Sequence, residues 1–166
     1  MKKQKRSVLF LAQGAMIAAM YVALTMLSNA FGLASGVVQV RISEALTILP
    51  YFTPAAIPGL FVGCLISNIL AGGVVWDVIF GSLATLIGAL FTYLLRRNKY
   101  LAPVPPIVSN MLIVPFVLRF AYGADDAIWF MMLTVGAGEL ISAGILGMLL
   151  LLGLDKHRDA IFNKIQ

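Results

Sequence analysis

The sequence predicts an all-α membrane protein, a single-domain bundle of six transmembrane helices with both chain ends on the cytoplasmic side. Three observations predict it. The 166 residues are 61% hydrophobic and 11% charged, with a mean hydropathy of +0.97, well beyond the apolar share of a soluble domain. The apolar residues fall into stretches, several near the ~20 residues that cross a ~30 Å hydrocarbon core. Ten of the twelve Lys and Arg gather in three clusters at the flanks of those stretches.

The first span, 8–29, follows Lys2, Lys3, Lys5 and Arg6. This opening also resembles a signal peptide, with Ser28, Asn29 and Ala30 as a loose cleavage site. Its apolar part, ~20 residues, exceeds the ~7–15 of a signal-peptide core, so a retained helix is expected. Ala15, Ala19 and Ala23 recur every fourth position. Small-residue stripes let helix backbones approach closely, and this one faces either a sister helix or a separate protein. The second span, 43–52, is short, and 45–71 can also be read as one helix, which would make five spans. The positive-inside rule decides: six spans put the basic clusters at the N-terminus, at Arg96, Arg97 and Lys99, and at Lys156, Arg158 and Lys164 on one side. Pro50, Pro54 and Pro58 then mark a cytoplasmic break before the third span, 55–71. There Gly59, Gly63 and Ser67 form a second stripe, expected to pack within the bundle. A Gly72–Gly73 turn leads outside to the fourth span, 76–95; the fifth covers 103–121, Asp125 and Asp126 lie outside, and the sixth covers 127–153.

Charges at membrane depth are costly and mark functional candidates. Arg41 and Glu44 open the second span from outside, Trp76 and Asp77 open the fourth, and Arg119 and Tyr122 close the fifth. Asn68 lies about one turn below the outer end of the third span, and Asn110 lies near the middle of the fifth. Glu139 is ~18 Å into the last span at ~1.5 Å per residue, the deepest carboxylate of the chain. These nine residues converge on a basin opening outward, while the inner half of the bundle is almost free of large polar side chains. A pore or proton relay would need polar groups through the whole thickness. A binding cup with a closed floor fits better. Structural readings stand beside this one: an i,i+3 ion pair for Arg41 and Glu44, a helix-start carboxylate for Asp77, the interfacial aromatic belt for Trp76 and Tyr122, and a buried pair with Arg119 or Arg41 for Glu139.

Other chemistries fit poorly. The only histidine, His157, lies in the charged tail, and no lysine lies within a span to activate a serine. Only one aspartate, Asp77, is inside a span, and there is neither a His/Cys metal cluster nor a GxxxxGK phosphate loop. The lone Cys64 reads as a packing residue. Basic residues scattered over three membrane flanks do not make a nucleic-acid surface. The net charge of +5 therefore reports membrane orientation, and a binding subunit without a cofactor is expected rather than an enzyme.

The stretches VRISEALTILPYFTPAAIPGLFVGCLISNIL, WDVIFGSLATLIGAL and GELISAG, together with the six-span size and the AxxxA stripe, resemble the substrate-binding S-component of energy-coupling factor (ECF) transporters, specifically the QueT family assigned to queuosine precursors. The resemblance covers nearly the whole chain. It implies a multi-pass protein of the bacterial cell membrane that captures a micronutrient from outside. Its partners would be a transmembrane coupling protein and two cytoplasmic ATPases, on which it topples to deliver its cargo. Ala15, Ala19 and Ala23 would then face the coupling protein. The implied cargo is a deazaguanine, a queuosine precursor or queuine, whose guanine-like edge carries paired N–H donors beside a carbonyl. Paired donors suit a carboxylate, with Glu139 first in line and Asp77 or Glu44 left for a cationic substituent. Arg41 or Asn68 would meet the carbonyl, and Trp76 or Tyr122 would stack on the ring. An S-component for another vitamin and a stand-alone ion-coupled carrier are the rival readings. Prolines clustered in one half of the chain disfavour the paired broken helices of such carriers.

Overall fold

Small and polar residues turn inward and large apolar ones outward along much of the computed structural model, which describes residues 2–34 and 37–157. Helix α3 (Val75–Leu94) shows the pattern: it buries Asp77, Gly81, Ser82, Ala84, Thr85, Gly88, Ala89 and Thr92. Leu83, Ile87, Leu90, Phe91 and Leu94 stay exposed. Lipid tails are as apolar as leucine, so close backbone packing and internal polar contacts, not burial of large side chains, hold such helices together.

The described chain is all-helical. α1 (Lys2–Ala30) is followed by a 3-10 helix (Ile42–Tyr51), α2 (Ala56–Leu70), α3, a short 3-10 turn (Lys99–Leu101) and α4 (Val104–Ala121). The last rod is α5 (Ile128–Glu139), a π-helical segment (Leu140–Leu146) and α6 (Gly147–Asp155). Four stretches are long and apolar enough to cross a membrane: Arg6–Ala30, Val75–Leu94, Lys99–Ala121 and Ile128–Asp155. α2 is apolar but shorter, with 15 residues or ~22 Å. Of the basic residues expected to flank the last span, Arg158 and Lys164 lie outside the described residues.

The second expected span, 43–52, is not an α-helix. Ile42–Tyr51 runs instead as a 3-10 helix with Pro50 inside it, ~20 Å long at ~2.0 Å per residue, about two thirds of a hydrocarbon core. It packs against α1, α2, α3, the π segment and α6, and every residue from Ser43 to Pro50 is buried. Non-α backbone at membrane depth is tolerated where protein surrounds it, which explains its central place. α1 secures its start: Ile42 N–H donates to Ser28 Oγ at 2.9 Å, and Thr25 Oγ1 donates to Ser43 Oγ at 2.8 Å. No residue of the segment itself caps that end.

The turns at 52–55 and 95–103 lie at one end of the bundle, and those at 31–34, 37–41, 71–74 and 122–127 at the other. The apolar core, including Ile17, Leu46, Leu49, Phe52, Leu60 and Leu151, fills the first end. Gly72, at φ 74°, makes the tight turn between α2 and α3 in a conformation that favours glycine.

The glycine stripe of α2 packs inside the bundle on α1. A Cβ on Gly63 would lie 2.9 Å from the Tyr21 Cβ and 3.0 Å from the Ala18 backbone. Backbone cannot yield there, so Gly63→Ala is expected to part the two helices. The cost is about 1–3 kcal/mol of stability, read as an earlier thermal transition in detergent.

Candidate ligand-binding site

A cavity of about 560 Å³ occupies the end of the bundle opposite the apolar core, lined among others by Thr25, Gln39, Arg41, Asn68, Asp77 and Tyr122. Beneath it lies a chamber of about 30 Å³ lined by Glu44, Cys64, Thr85, Asn110 and Glu139. Gln39, Arg41, Asp77 and Val114 line both, so the two spaces adjoin. The chamber holds about one water molecule; the cavity is in the size range of small-molecule sites.

Local sequence explains how each group gets there. Tyr21, Thr25 and Ser28 recur at i, i+4 and i+7 along α1 and so share one face; all three are buried. Tyr21 donates its hydroxyl to Glu44 Oε1, Thr25 and Ser28 seat the start of the 3-10 helix, and Glu44 is thereby fixed one turn in. Asn110 on α4 gives its amide to two carboxylates, to Glu139 Oε1 at 2.9 Å and to Glu44 Oε2 at 3.5 Å. Glu139 is the last residue of α5, and the π segment begins at the next. Its second oxygen, Oε2, is buried without a partner.

In the outer cavity, Tyr122 donates to Asp77 Oδ2 at 2.9 Å and accepts from Val74 N–H at 3.3 Å. Burial, then the hydrogen bond to Asp77, raises the Tyr122 phenol above its ordinary range, so it remains a donor. Arg41 donates to Asn68 Oδ1 at 3.5 Å. Asn68 in turn donates to the Asp77 carbonyl at 3.5 Å and more weakly to Cys64 Sγ at 3.6 Å.

Seven of the nine expected ligand residues thus gather around the two spaces: Arg41, Glu44, Asn68, Asp77, Asn110, Tyr122 and Glu139. Two do not. Trp76 is 60% exposed and stacks on Phe80 at 6.0 Å between ring centroids, lining an apolar groove on the outer surface with Leu112, Phe116 and Phe120. Arg119 points to the 122–127 turn, donating to the Ala124 carbonyl at 2.7 Å and pairing with Asp125 at 3.9 Å. The ion pairs among the described residues are that one and Lys99–Asp155, so Arg41 and Glu44 do not pair with each other and Glu139 pairs with neither arginine. Tyr21, Gln39 and Thr85 enter the site without having been singled out from the sequence. The helical spacing of Tyr21 with Thr25 and Ser28 was the available signal for the first.

Ala15, Ala19 and Ala23 all face outward from α1. The packed face is the other one, carrying Ile17, Ala18 and Tyr21. No cluster of three His, Cys, Asp or Glu side chains suited to a metal occurs among the described residues. The site can hold a small polar molecule by hydrogen bonds and charge.

The sequence model of the QueT transporter family matches residues 11–156. This chain belongs to the QueT transporter family. A QueT relative from Lactococcus lactis subsp. cremoris, described as "Queuosine precursor transporter QueT", is 40% identical over 74 residues, which is 44% of this chain and 43% of that protein. The aligned stretch therefore spans less than half of either. No solved structure matches the chain significantly. Membership of the QueT family and four helices long and apolar enough to cross a membrane agree with a multi-pass membrane protein.

Proposed function

We propose that this chain is the substrate-binding S-component of an ECF-type importer in the bacterial cell membrane, and that it takes a deazaguanine queuosine precursor, or queuine, from the outer side. The observation that carries this reading is the asymmetry of the bundle: a polar cavity of about 560 Å³ at one end and an apolar core at the other. The name of the Lactococcus relative supports the cargo. Counting the 3-10 helix as the second of six membrane-embedded segments would leave both chain ends and the 96–99 connection in the cytoplasm and the cavity outside, as the positive-inside rule asks.

The volumes redistribute the ligand contacts expected from the sequence. A chamber of about 30 Å³ favours a carboxylate of the larger cavity over Glu139, first in line on the sequence, as the reader of the base edge. Asp77, in the outer cavity, takes that role and meets the paired N–H donors. Arg41 and Asn68 line the same cavity and donate to the base carbonyl, and Tyr122 supplies a ring wall. On delivery, a coupling protein and two ATPases would supply the energy, the coupling protein seated on the outward alanine face of α1.

Calorimetric titration of the detergent-purified protein with deazaguanines tests the reading; a protein that binds none of them is not a receptor for this cargo. Asp77→Asn is expected to weaken binding about 10- to 100-fold, the worth of a charge-assisted hydrogen bond of ~1.5–3 kcal/mol. Unchanged affinity would remove Asp77 from the base contact.

A further inference from the structure

We propose that the inner chamber is a socket for an ammonium group on the cargo, so that the protein selects aminated deazaguanines over neutral ones. The inference rests on the deazaguanine reading above and adds to it which substituent the cargo must carry.

Charge is the first observation. The chamber and its mouth are lined by Glu44, Asp77 and Glu139 against a single cation, Arg41. Arg119 is engaged elsewhere, with Asp125. Two carboxylates are left without a counter-ion at a depth where an unpaired charge is expensive.

Hydrogen bonding is the second. Two buried side-chain polar atoms among the described residues have no partner, Glu139 Oε2 and Ser142 Oγ, and Glu139 lines the chamber. Glu139 is only 9% exposed, and the one water the chamber could hold would satisfy that oxygen's hydrogen bond without supplying charge. Both oxygens of Glu44 have partners, Tyr21 and Asn110, and the Asn110 amide has given its two N–H groups to the two glutamates. The group missing from the chamber is a donor carrying positive charge.

Size is the third. A space of about 30 Å³ admits one water-sized group and no ring. It adjoins the large cavity through Gln39, Arg41, Asp77 and Val114. A base held by Asp77 in the cavity would send a one-carbon arm through that mouth and place its nitrogen beside Glu139 Oε2. An ammonium brings three N–H donors and the charge the chamber lacks. A nitrile of similar reach brings neither an N–H donor nor a positive charge.

The experiment is calorimetric titration of the full-length wild-type protein with 7-aminomethyl-7-deazaguanine and with 7-cyano-7-deazaguanine. The amine is expected to bind about 10- to 100-fold more tightly, the worth of one charge-assisted hydrogen bond. That preference should fall to within about threefold in Glu139→Gln. If the nitrile binds as tightly as the amine, the socket is refuted while the deazaguanine reading survives; if neither binds, the socket is refuted, and if queuine does not bind either, the deazaguanine reading fails with it. The wild-type comparison decides the matter even if the variant does not fold, and a preference that persists undiminished in a folded Glu139→Gln overturns the role of Glu139.

Discussion

Gly138→Ala is expected to abolish detectable ligand binding and to lower the thermal stability of the protein by about 1–3 kcal/mol, the usual cost of overpacking. A Cβ at this position would run into the carbonyl of Gln39, in the segment that carries Gln39 and Arg41 to the mouth of the chamber. That segment is anchored at both sides: Val40 N–H donates to the Leu33 carbonyl at 2.9 Å, and Ile42 N–H to Ser28. It cannot retreat without breaking one of these bonds, and Gly138 cannot retreat without moving Glu139, its neighbour. Either response displaces Arg41 or Glu139 from the lining and spoils both spaces. Calorimetry and thermal unfolding measure the two effects. A variant that binds normally would show that residues 39–41 are free to shift, and the chamber mouth would then be no fixed feature.

Ala19→Leu is expected to stop uptake by cells while leaving binding by the isolated protein unchanged. Ala15, Ala19 and Ala23 lie on the exposed face of α1, and neither cavity is lined by any of them. A leucine there disturbs nothing within the bundle. It does fill the shallow groove through which a partner helix would approach, where small residues are what allow close packing. Uptake assays with the coupling module present, paired with calorimetry on the variant alone, separate the two functions. Normal uptake would discard this face as the docking surface, and lost binding would assign Ala19 to internal packing.

Much of the helix layout was legible because membrane helices announce themselves by length and composition. The expected 76–95 and 103–121 correspond to Val75–Leu94 and Val104–Ala121, since Gly72, Gly73 and the Arg96–Lys99 cluster punctuate the chain where helices end. The 3-10 form of residues 42–51 was not legible, because ten residues hold too few turns for hydrophobic periodicity to separate three per turn from 3.6. The π segment after Glu139 left no compositional mark either. For the site, depth along a helix could be counted from the sequence, but the direction of a side chain around the axis could not. Asp77 and Trp76 share the same depth, yet α3 turns the first inward and the second to the surface. Arg119 and Tyr122 part in the same way, one toward Asp125 and the other toward Asp77. The sizes of the two spaces depend on how five helices meet, which no local pattern encodes.

The central 3-10 helix has a consequence for assembly. Its backbone bonds are poorer than those of an α-helix, and its first N–H is satisfied from α1. It therefore lacks the means to stand alone. Glu44 is expected to take up its place only after the later helices have closed around residues 42–51, although it is synthesised before all of them. Chains truncated before α6 should thus insert into lipid with several helices intact but without a competent receptor. Amide exchange should reveal this segment as the last region to become protected.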